Sequence, residues 1–304
     1  MKKYEKWYKN NELHRENDRP ALIKYSLEYI KNGLRNLVEM YYFEDKMERK
    51  NGGPTIIEYY DDISNNVKHK WWISKNDLLH RENGPAFISY NNNNLSFVNQ
   101  EQWFIEGKLC VIDDKPSIVT YYNDLKHSKR EERWMVDNKL DRNNDKPALI
   151  RYNQDESKKE EHWYIDGKLE RDYGLPAIVK YDDEFPADFM EEGRQDELNT
   201  SGPRKSVEEW YKNEQLIYKK YYKNGIIRRE KWFGYEGPII KKNGYLSRLV
   251  YIDYYENGSK AIEEYYNSNN SSLDPVKEII KYYRGELNKT GNPMCLILKK
   301  NYYE

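Results

Sequence analysis

The residue types able to do chemistry in this chain are few, and their spacing argues against catalysis. His14 directly follows a recurrent leucine, and His80 stands one position further along in its own copy of the same pattern. Either could in principle ligate a metal or move a proton. The slot after that leucine, however, holds His14, Glu48, Leu79, Cys110, Asp141 and Glu170 in turn. A chemical role does not survive such exchange, so the slot reads as a surface strand position. His69, His127 and His162 are spaced too widely for a local metal motif. Cys110 and Cys295 sit in unlike contexts and form no disulfide framework. Cys110 reads as a packed thiol. Neither a phosphate-binding loop nor Gly-x-Ser-x-Gly nor Cys-x-x-Cys is present. No acid, base and nucleophile can be assembled, so no catalytic, cofactor-binding or metal-binding residue is expected, and the chain reads as a non-enzyme. One constellation does recur, and it is basic: Arg15, Arg49, Arg81, Arg142 and Arg171. Such a row can stack on aromatic rings and pair with acids along a ladder, or it can face an anion. The first use is expected, and the row is the candidate interaction site.

The elements that position this row are written six times. The cleanest copy is WYIDGKLERDYGLPAIVKY from Trp163 to Tyr181; the others begin at Trp7, Tyr41, Trp72, Trp103 and Trp134. In each copy a proline stands thirteen residues after the first aromatic, at Pro20, Pro54, Pro85, Pro116, Pro147 and Pro176. The prolines advance by 34, 31, 31, 31 and 29 residues. A fixed period of this size marks a repeat architecture. Four residues after the aromatic come Asn11, Asp45, Asn76, Gly107, Asn138 and Gly167, the types that tolerate positive φ, which predicts a hairpin turn. A leucine or methionine anchor follows, then the arginine (slipped by one to Arg81 in the third copy), then a second turn closed by proline.

After proline the pattern alternates strictly. Ala21, Ile23 and Tyr25 fill one face, as do Ala148, Ile150 and Tyr152 in the fifth copy, which is the signature of a strand with one packed face. The unit is therefore expected to be an antiparallel meander of two or three short strands. Its core is expected to be Trp7, Tyr41, Trp72, Trp103, Trp134 and Trp163 together with Tyr25, Tyr59, Tyr90, Tyr121, Tyr152 and Tyr181. The unit has little else that is large and apolar.

The 304 residues carry a net charge of -1, with 34% charged and 15% aromatic residues. Interleaved charge gives no basic face for general nucleic-acid binding. The mean hydropathy of -1.12 alone would suggest disorder, but the aromatics are periodic, as in a thin sheet with a narrow core. No apolar run approaches a membrane span, and no signal peptide is expected ahead of the first repeat. With few cysteines, an intracellular, cytoplasmic location is expected. Three regions are expected: six repeats over 1–181, an irregular insert or linker over 182–206, and a different hairpin style over 207–304 that ends in a degenerate cap. An extra hairpin is expected at Lys31-Asn32-Gly33.

The C-terminal style is marked by Tyr221-Tyr222-Lys223-Asn224-Gly225 and Tyr254-Tyr255-Glu256-Asn257-Gly258. Asn-Gly between strand formers is the strongest short hairpin signal. These copies resemble MORN-type repeats in the variant found in bacterial antitoxin-like proteins. The six longer units resemble the W-x-x-x-G-x-L-H-R-x-x-G-P-A-x-I-x-Y repeat of large amoeba-infecting DNA viruses. The resemblance implies an all-β, elongated, twisted antiparallel sheet or solenoid of stacked β-hairpins, with a scaffolding or protein-binding role. The expected function is a non-catalytic repeat scaffold for protein–protein interaction, in a virion or in contact with the host, and self-association is compatible with it. The alternative is a carbohydrate- or nucleic-acid-binding module using exposed aromatics and the arginine row. Exposure of the tryptophans separates the two.

Overall fold

The computed structural model describes residues 3–26, 35–62, 65–74, 76–92, 97–181, 204–234, 237–242, 245–255, 257–267, 277–287 and 293–300. The hairpin expected at Lys31-Asn32-Gly33 and residues 182–203 of the expected insert lie outside these, as does Gly291 of the expected cap. The described residues are all-β, with antiparallel strands and no helix, and so none holds a helix long and apolar enough to cross a membrane. The chain divides into two compact units, Met1–Ser157 and Lys158–Glu304.

In the first unit one sheet is built in chain order. Its strands are Tyr4–Lys6, Leu22–Tyr25, Asn36–Met40, Ile56–Tyr59, Val67–Trp71, Phe87–Tyr90, Val98–Gln102, Ile118–Tyr121, Lys129–Arg133 and Leu149–Tyr152. Each pairs antiparallel with the next. The strand after each proline is thus a sheet strand, as its alternation predicts. Its neighbour is the polar stretch just before the next aromatic, for example KREER at Lys129–Arg133.

The stretch between aromatic and arginine forms a second, smaller ladder. Tyr8–Lys9 pairs with Glu12–Leu13, Tyr42–Phe43 with Lys46–Met47, Phe104–Ile105 with Lys108–Leu109, and Met135–Val136 with Lys139–Leu140. In the third repeat only the bridge Ile73–Leu79 remains. A repeat therefore has four short strands in two ladders, where two or three were expected. The added strand is the charged one, whose composition hides it. The turns are those the sequence demands in five of the six copies: Asp137 and Asn138 have φ of 47° and 62°, and Asn144 and Asp145 have 64° and 51°, whereas in the third copy the positive φ falls on Asp77 (58°) rather than on Asn76. Positive φ at both central positions is the hairpin geometry that matches strand twist.

Proline folds the chain back onto the repeat's first aromatic. The N–H of Trp134 donates to the carbonyl of Ala148 at 2.8 Å, and Trp72 does the same to Ala86 at 2.8 Å. Ala21, Ala86 and Ala148 are 0% exposed, and the same slot is filled by the small Thr55 and Ser117 in the second and fourth repeats, also buried. A β-bulge precedes the final tyrosine of the strand at Tyr25, Tyr59, Tyr90 and Tyr121. Bulges re-aim a side chain: Tyr25, Tyr59 and Tyr121 are turned toward a glutamate on the neighbouring strand, whereas Tyr90 lies under the Lys70 amine at 5.0 Å.

The second unit begins with the sixth repeat, whose small hairpin pairs Tyr164–Ile165 with Lys168–Leu169. Its sheet runs Lys158–His162, Ile178–Tyr181, Lys205–Lys212, Gln215–Lys223, Ile226–Trp232, Tyr245–Tyr254, Lys260–Asn267, Lys277–Leu287 and Pro293–Lys300, again each strand antiparallel to the next. Ile239–Lys242 pairs with the first half of Tyr245–Tyr254. Asn224 and Gly225 turn at φ of 53° and 75°, as the Asn-Gly signal predicts. Leu249, Ile252 and Tyr265 form a buried cluster with Trp232 and Tyr254 against it.

Candidate functional site: the arginine row

Each arginine of the row closes its own repeat. The guanidinium carbon lies over the ring of the repeat's first aromatic: Arg15 over Trp7 at 3.7 Å, Arg49 over Tyr41 at 3.9 Å, Arg81 over Trp72 at 4.0 Å, Arg142 over Trp134 at 3.6 Å and Arg171 over Trp163 at 3.8 Å. In all five Nη1 also donates to the carbonyl of the repeat's proline, at 3.1–3.4 Å. The ring's electron-rich face and the carbonyl together hold the cation. The one-residue slip of Arg81 is absorbed by a shorter loop to Pro85, so its guanidinium reaches the same place. The fourth repeat carries Val111 in this slot.

The same guanidinium links neighbouring repeats. Arg49 donates through Nε and Nη2 to the two carboxylate oxygens of Asp18 at 2.8 and 2.7 Å, and Arg142 does so to Asp114 at 2.9 and 3.1 Å. Such fork-to-fork pairing is a use of arginine that lysine cannot copy. Lys146 adds a third contact on Asp114 at 2.6 Å. The hydrogen bond from Arg142, then that from Lys146, holds the Asp114 carboxyl well below the usual range, and Arg49 does the same to Asp18. The turn that carries the aspartate also receives the next repeat's indole. Trp134 Nε1 donates to the Asp114 carbonyl at 2.9 Å, Trp72 Nε1 to Gly52 at 3.0 Å and, in the second unit, Trp210 Nε1 to Gly174 at 2.8 Å.

The aromatics turn inward. Tyr41, Trp72, Trp134, Trp163 and Tyr25 are buried, and Trp134 is only 3% exposed. Trp7, Trp103, Tyr59, Tyr90, Tyr121, Tyr152 and Tyr181 are half-buried. The arginines are half-buried too, with 13% of the Arg142 side chain exposed. The row is thus a set of internal clamps.

A second constellation escaped the sequence reading. Across the first unit's sheet, Glu5, Ile23, Glu39, Ile57, Lys70, Ile88, Glu101, Val119, Glu132 and Ile150 are successive cross-strand partners. In the second unit the row reads Glu161, Val179, Glu208, Lys220, Glu230, Ile252 and Glu263. These carboxylates are covered: Glu132 is 6% exposed, and Glu161, Glu208 and Glu263 are buried likewise. Each finds the hydroxyl of the bulge-aimed tyrosine or its counterpart. Tyr121 donates to Glu101 at 2.6 Å, Tyr152 to Glu132 at 2.5 Å, Tyr181 to Glu161 at 2.5 Å, Tyr222 to Glu208 at 2.6 Å and Tyr254 to Glu230 at 2.7 Å. A lysine three residues upstream adds charge: Lys129 to Glu132 at 2.7 Å, Lys158 to Glu161 at 2.5 Å and Lys205 to Glu208 at 2.9 Å. Burial, then the neighbouring glutamates, pushes these phenols upward. Tyr121, Tyr181, Tyr222 and Tyr254 are all raised. Tyr41 and Tyr251 are each pushed up to about 12, burial again leading. The signal was present in the sequence: a glutamate stands two residues before the aromatic in EKW, EMY, EQW, ERW, EHW and EEW.

The histidines have structural surroundings. His14, expected at a surface strand position, is 5% exposed, packs against the tilted ring of Phe43 at 4.6 Å and has no hydrogen-bond partner on either ring nitrogen. The hairpin of the second repeat covers it, so the slot is interior in this copy. His80 Nδ1 is 2.9 Å from Glu106, His69 Nδ1 2.8 Å from Glu58, and His127 stacks flat on Tyr121 at 3.8 Å. Cys110 is half-buried, its thiol 3.7 Å from the Trp103 carbonyl and pushed up by burial. Among the described residues no group of three or more His, Cys, Asp or Glu is placed to hold a metal ion. Compared with protein-family models and with curated proteins, the chain matches none.

Proposed function

We propose that this chain is a non-catalytic repeat scaffold that binds another protein along its sheet, as a structural or host-directed component of a large DNA virus. The observation that carries this reading is the inward use of the arginine row. Each guanidinium is committed to a ring and a proline carbonyl of its own repeat, and those of Arg49 and Arg142 also to the preceding repeat, so the groups an anion-binding module would display are spent inside the repeat array. The tryptophans that a carbohydrate platform would need are buried or half-buried in the six repeats. What the repeats offer outward is a long, mixed-charge surface of the kind protein partners use. The MORN-like hairpins of the C-terminal region fit the same role. Affinity purification of the tagged protein from its native setting, with mass spectrometry of the eluate, tests it. One stoichiometric protein partner, or recovery in purified particles, is expected; nucleic acid or glycan recovered without a protein would overturn it.

A further inference from the structure

In the second unit the repeat's clamp is rebuilt without its arginine: a tyrosine takes the arginine's position and a lysine supplies the nearby cation. Trp210 keeps the surroundings of the earlier tryptophans: Glu208 lies two residues before it, and its indole donates to a turn carbonyl of the preceding repeat. Leu216 stands in the anchor position six residues on, as Leu140 does after Trp134. Eight residues on, where Arg15, Arg142 and Arg171 stand in their copies, is Tyr218. Its ring meets Trp210 at 4.7 Å, and the next strand adds Trp232, stacked on Tyr218 at 4.8 Å. The three residues are register partners across three strands. Together with Gly174, Ile217 and Lys220 they line a cleft of about 380 Å³. A side chain added at Gly174 would meet nothing within 4 Å, so the cleft is open on that side.

We propose that this cleft binds an arginine side chain presented by a protein partner. The inference deepens the scaffold reading and rests on it. The chain itself supplies the template: five times over, a guanidinium lies 3.6–4.0 Å above the equivalent ring. Here three rings converge and, among the described residues, no guanidinium is stacked on them. The Lys220 amine lies at the outer edge of cation–π range, 5.4 Å from Trp210 and 5.6 Å from Tyr218, and 3.7 Å from the Glu230 carboxylate. Ring faces carry negative potential, and the Glu230 carboxylate that accepts the Tyr218 hydroxyl stands behind them, shared with Lys220 and Tyr254. A planar, weakly hydrated cation is the guest that matches both stacking and charge. An ammonium would gain less from the stack, and a neutral ring nothing from the charge.

The test uses the full chain and acetyl-arginine amide as the probe, with the neutral isostere acetyl-citrulline amide as control. The indole N–H signals of Trp210 and Trp232 are followed by NMR. Both are expected to move saturably with the arginine probe, with a Kd on the order of millimolar, and not with citrulline. Tyr218→Arg restores the internal clamp and fills the cleft, so it should weaken probe binding at least about tenfold, or about 1.4 kcal/mol. Trp232→Leu, which removes one wall, serves as the second variant if the first fails to fold. Equal shifts with citrulline, no saturable shift, or undiminished binding by a folded variant would overturn the proposal. The two readings fail separately. A partner captured equally by wild type and Tyr218→Arg overturns the cleft and leaves the scaffold. Arginine binding with only nucleic acid or glycan captured from the native setting leaves the cleft's guanidinium selectivity but overturns both the scaffold and the protein-borne occupant.

Discussion

The guanidinium of Arg142 lies 3.6 Å above the ring of Trp134, while its fork grips the carboxylate of Asp114, a residue of the preceding repeat. One side chain therefore closes its own unit and fastens that unit to its neighbour. Arg142→Lys keeps the charge but loses the flat stack and the two-pronged grip. It should destabilise the first unit by about 1–2 kcal/mol, read as a lower midpoint in urea unfolding. A midpoint equal to wild type would remove the clamp from the account of stability.

The fourth repeat supplies the reverse test. Val111 stands over the same loop length to its proline as the arginines of the first, second, fifth and sixth repeats. Val111→Arg should place a guanidinium over Trp103 and raise the melting temperature, with a gain of about 0.5–1 kcal/mol. A drop would show that this copy has repacked around valine.

Acid should loosen the ladder from the aspartates inward. The Asp114 carboxyl is held below its unbound value of 3.8 by Arg142 and then Lys146. A depressed folded-state value contributes stability that is complete above the unfolded value and is lost as pH falls through the folded one. Stability should therefore decline below about pH 4, and Asp114→Asn should be less stable at neutral pH but flatter across that acid window. Urea midpoints measured from pH 7 downward check both parts.

Alkali should act through the tyrosine–glutamate row with the opposite sign. Burial, and then Glu39, raises Tyr41 from 10.0 to about 12, and Tyr121, Tyr181 and Tyr222 are raised likewise. For a phenol raised on folding, the stabilisation is intact below pH about 10 and drains away as pH climbs toward the folded value. Tyrosinate absorbance should lag behind that of a model peptide and then rise together with loss of far-ultraviolet β signal. Independent, early ionisation of most tyrosines would contradict the row.

Removing one hydroxyl from that row should also cost. Tyr152→Phe strips Glu132, which is 6% exposed, of a 2.5 Å donor and leaves it to Lys129. A loss of about 1–3 kcal/mol is expected, and Glu132→Gln in the same background should recover part of it, as a double-mutant cycle would show.

The sequence made some of this plain and hid the rest for a physical reason. Repeat length, hairpin turns and the Ala-Ile-Tyr strand are read directly, because proline, positive-φ residues and alternation each impose one backbone outcome. The KREER strand was invisible as a strand, since charged residues read as solvent-facing loop. It is a strand because Glu132 faces inward and is satisfied there by Tyr152 and Lys129, a partnership twenty residues apart on one side and three on the other. The arginines were found by recurrence, and their stacking was foreseen. Their second hold, on the aspartate of the turn before, needs a register that only the folded sheet supplies. His14 departs from the expected surface position because exchange of side-chain type within a slot does not imply exposure: the neighbouring hairpin covers this copy.

The alternation of carboxylate and aliphatic residue along the sheet, interrupted by Lys70 in the first unit, makes the leading and trailing edges of a repeat chemically complementary. Away from that lysine, an internal copy cut out at equivalent positions would leave a glutamate-bearing strand facing an isoleucine- or valine-bearing one, with the tyrosine donor still in place. Each copy contributes two strands, or about 10 Å of sheet. The array can therefore lengthen or shorten by whole units through unequal exchange in its gene without inventing a new joint, and span becomes a heritable quantity counted in copies.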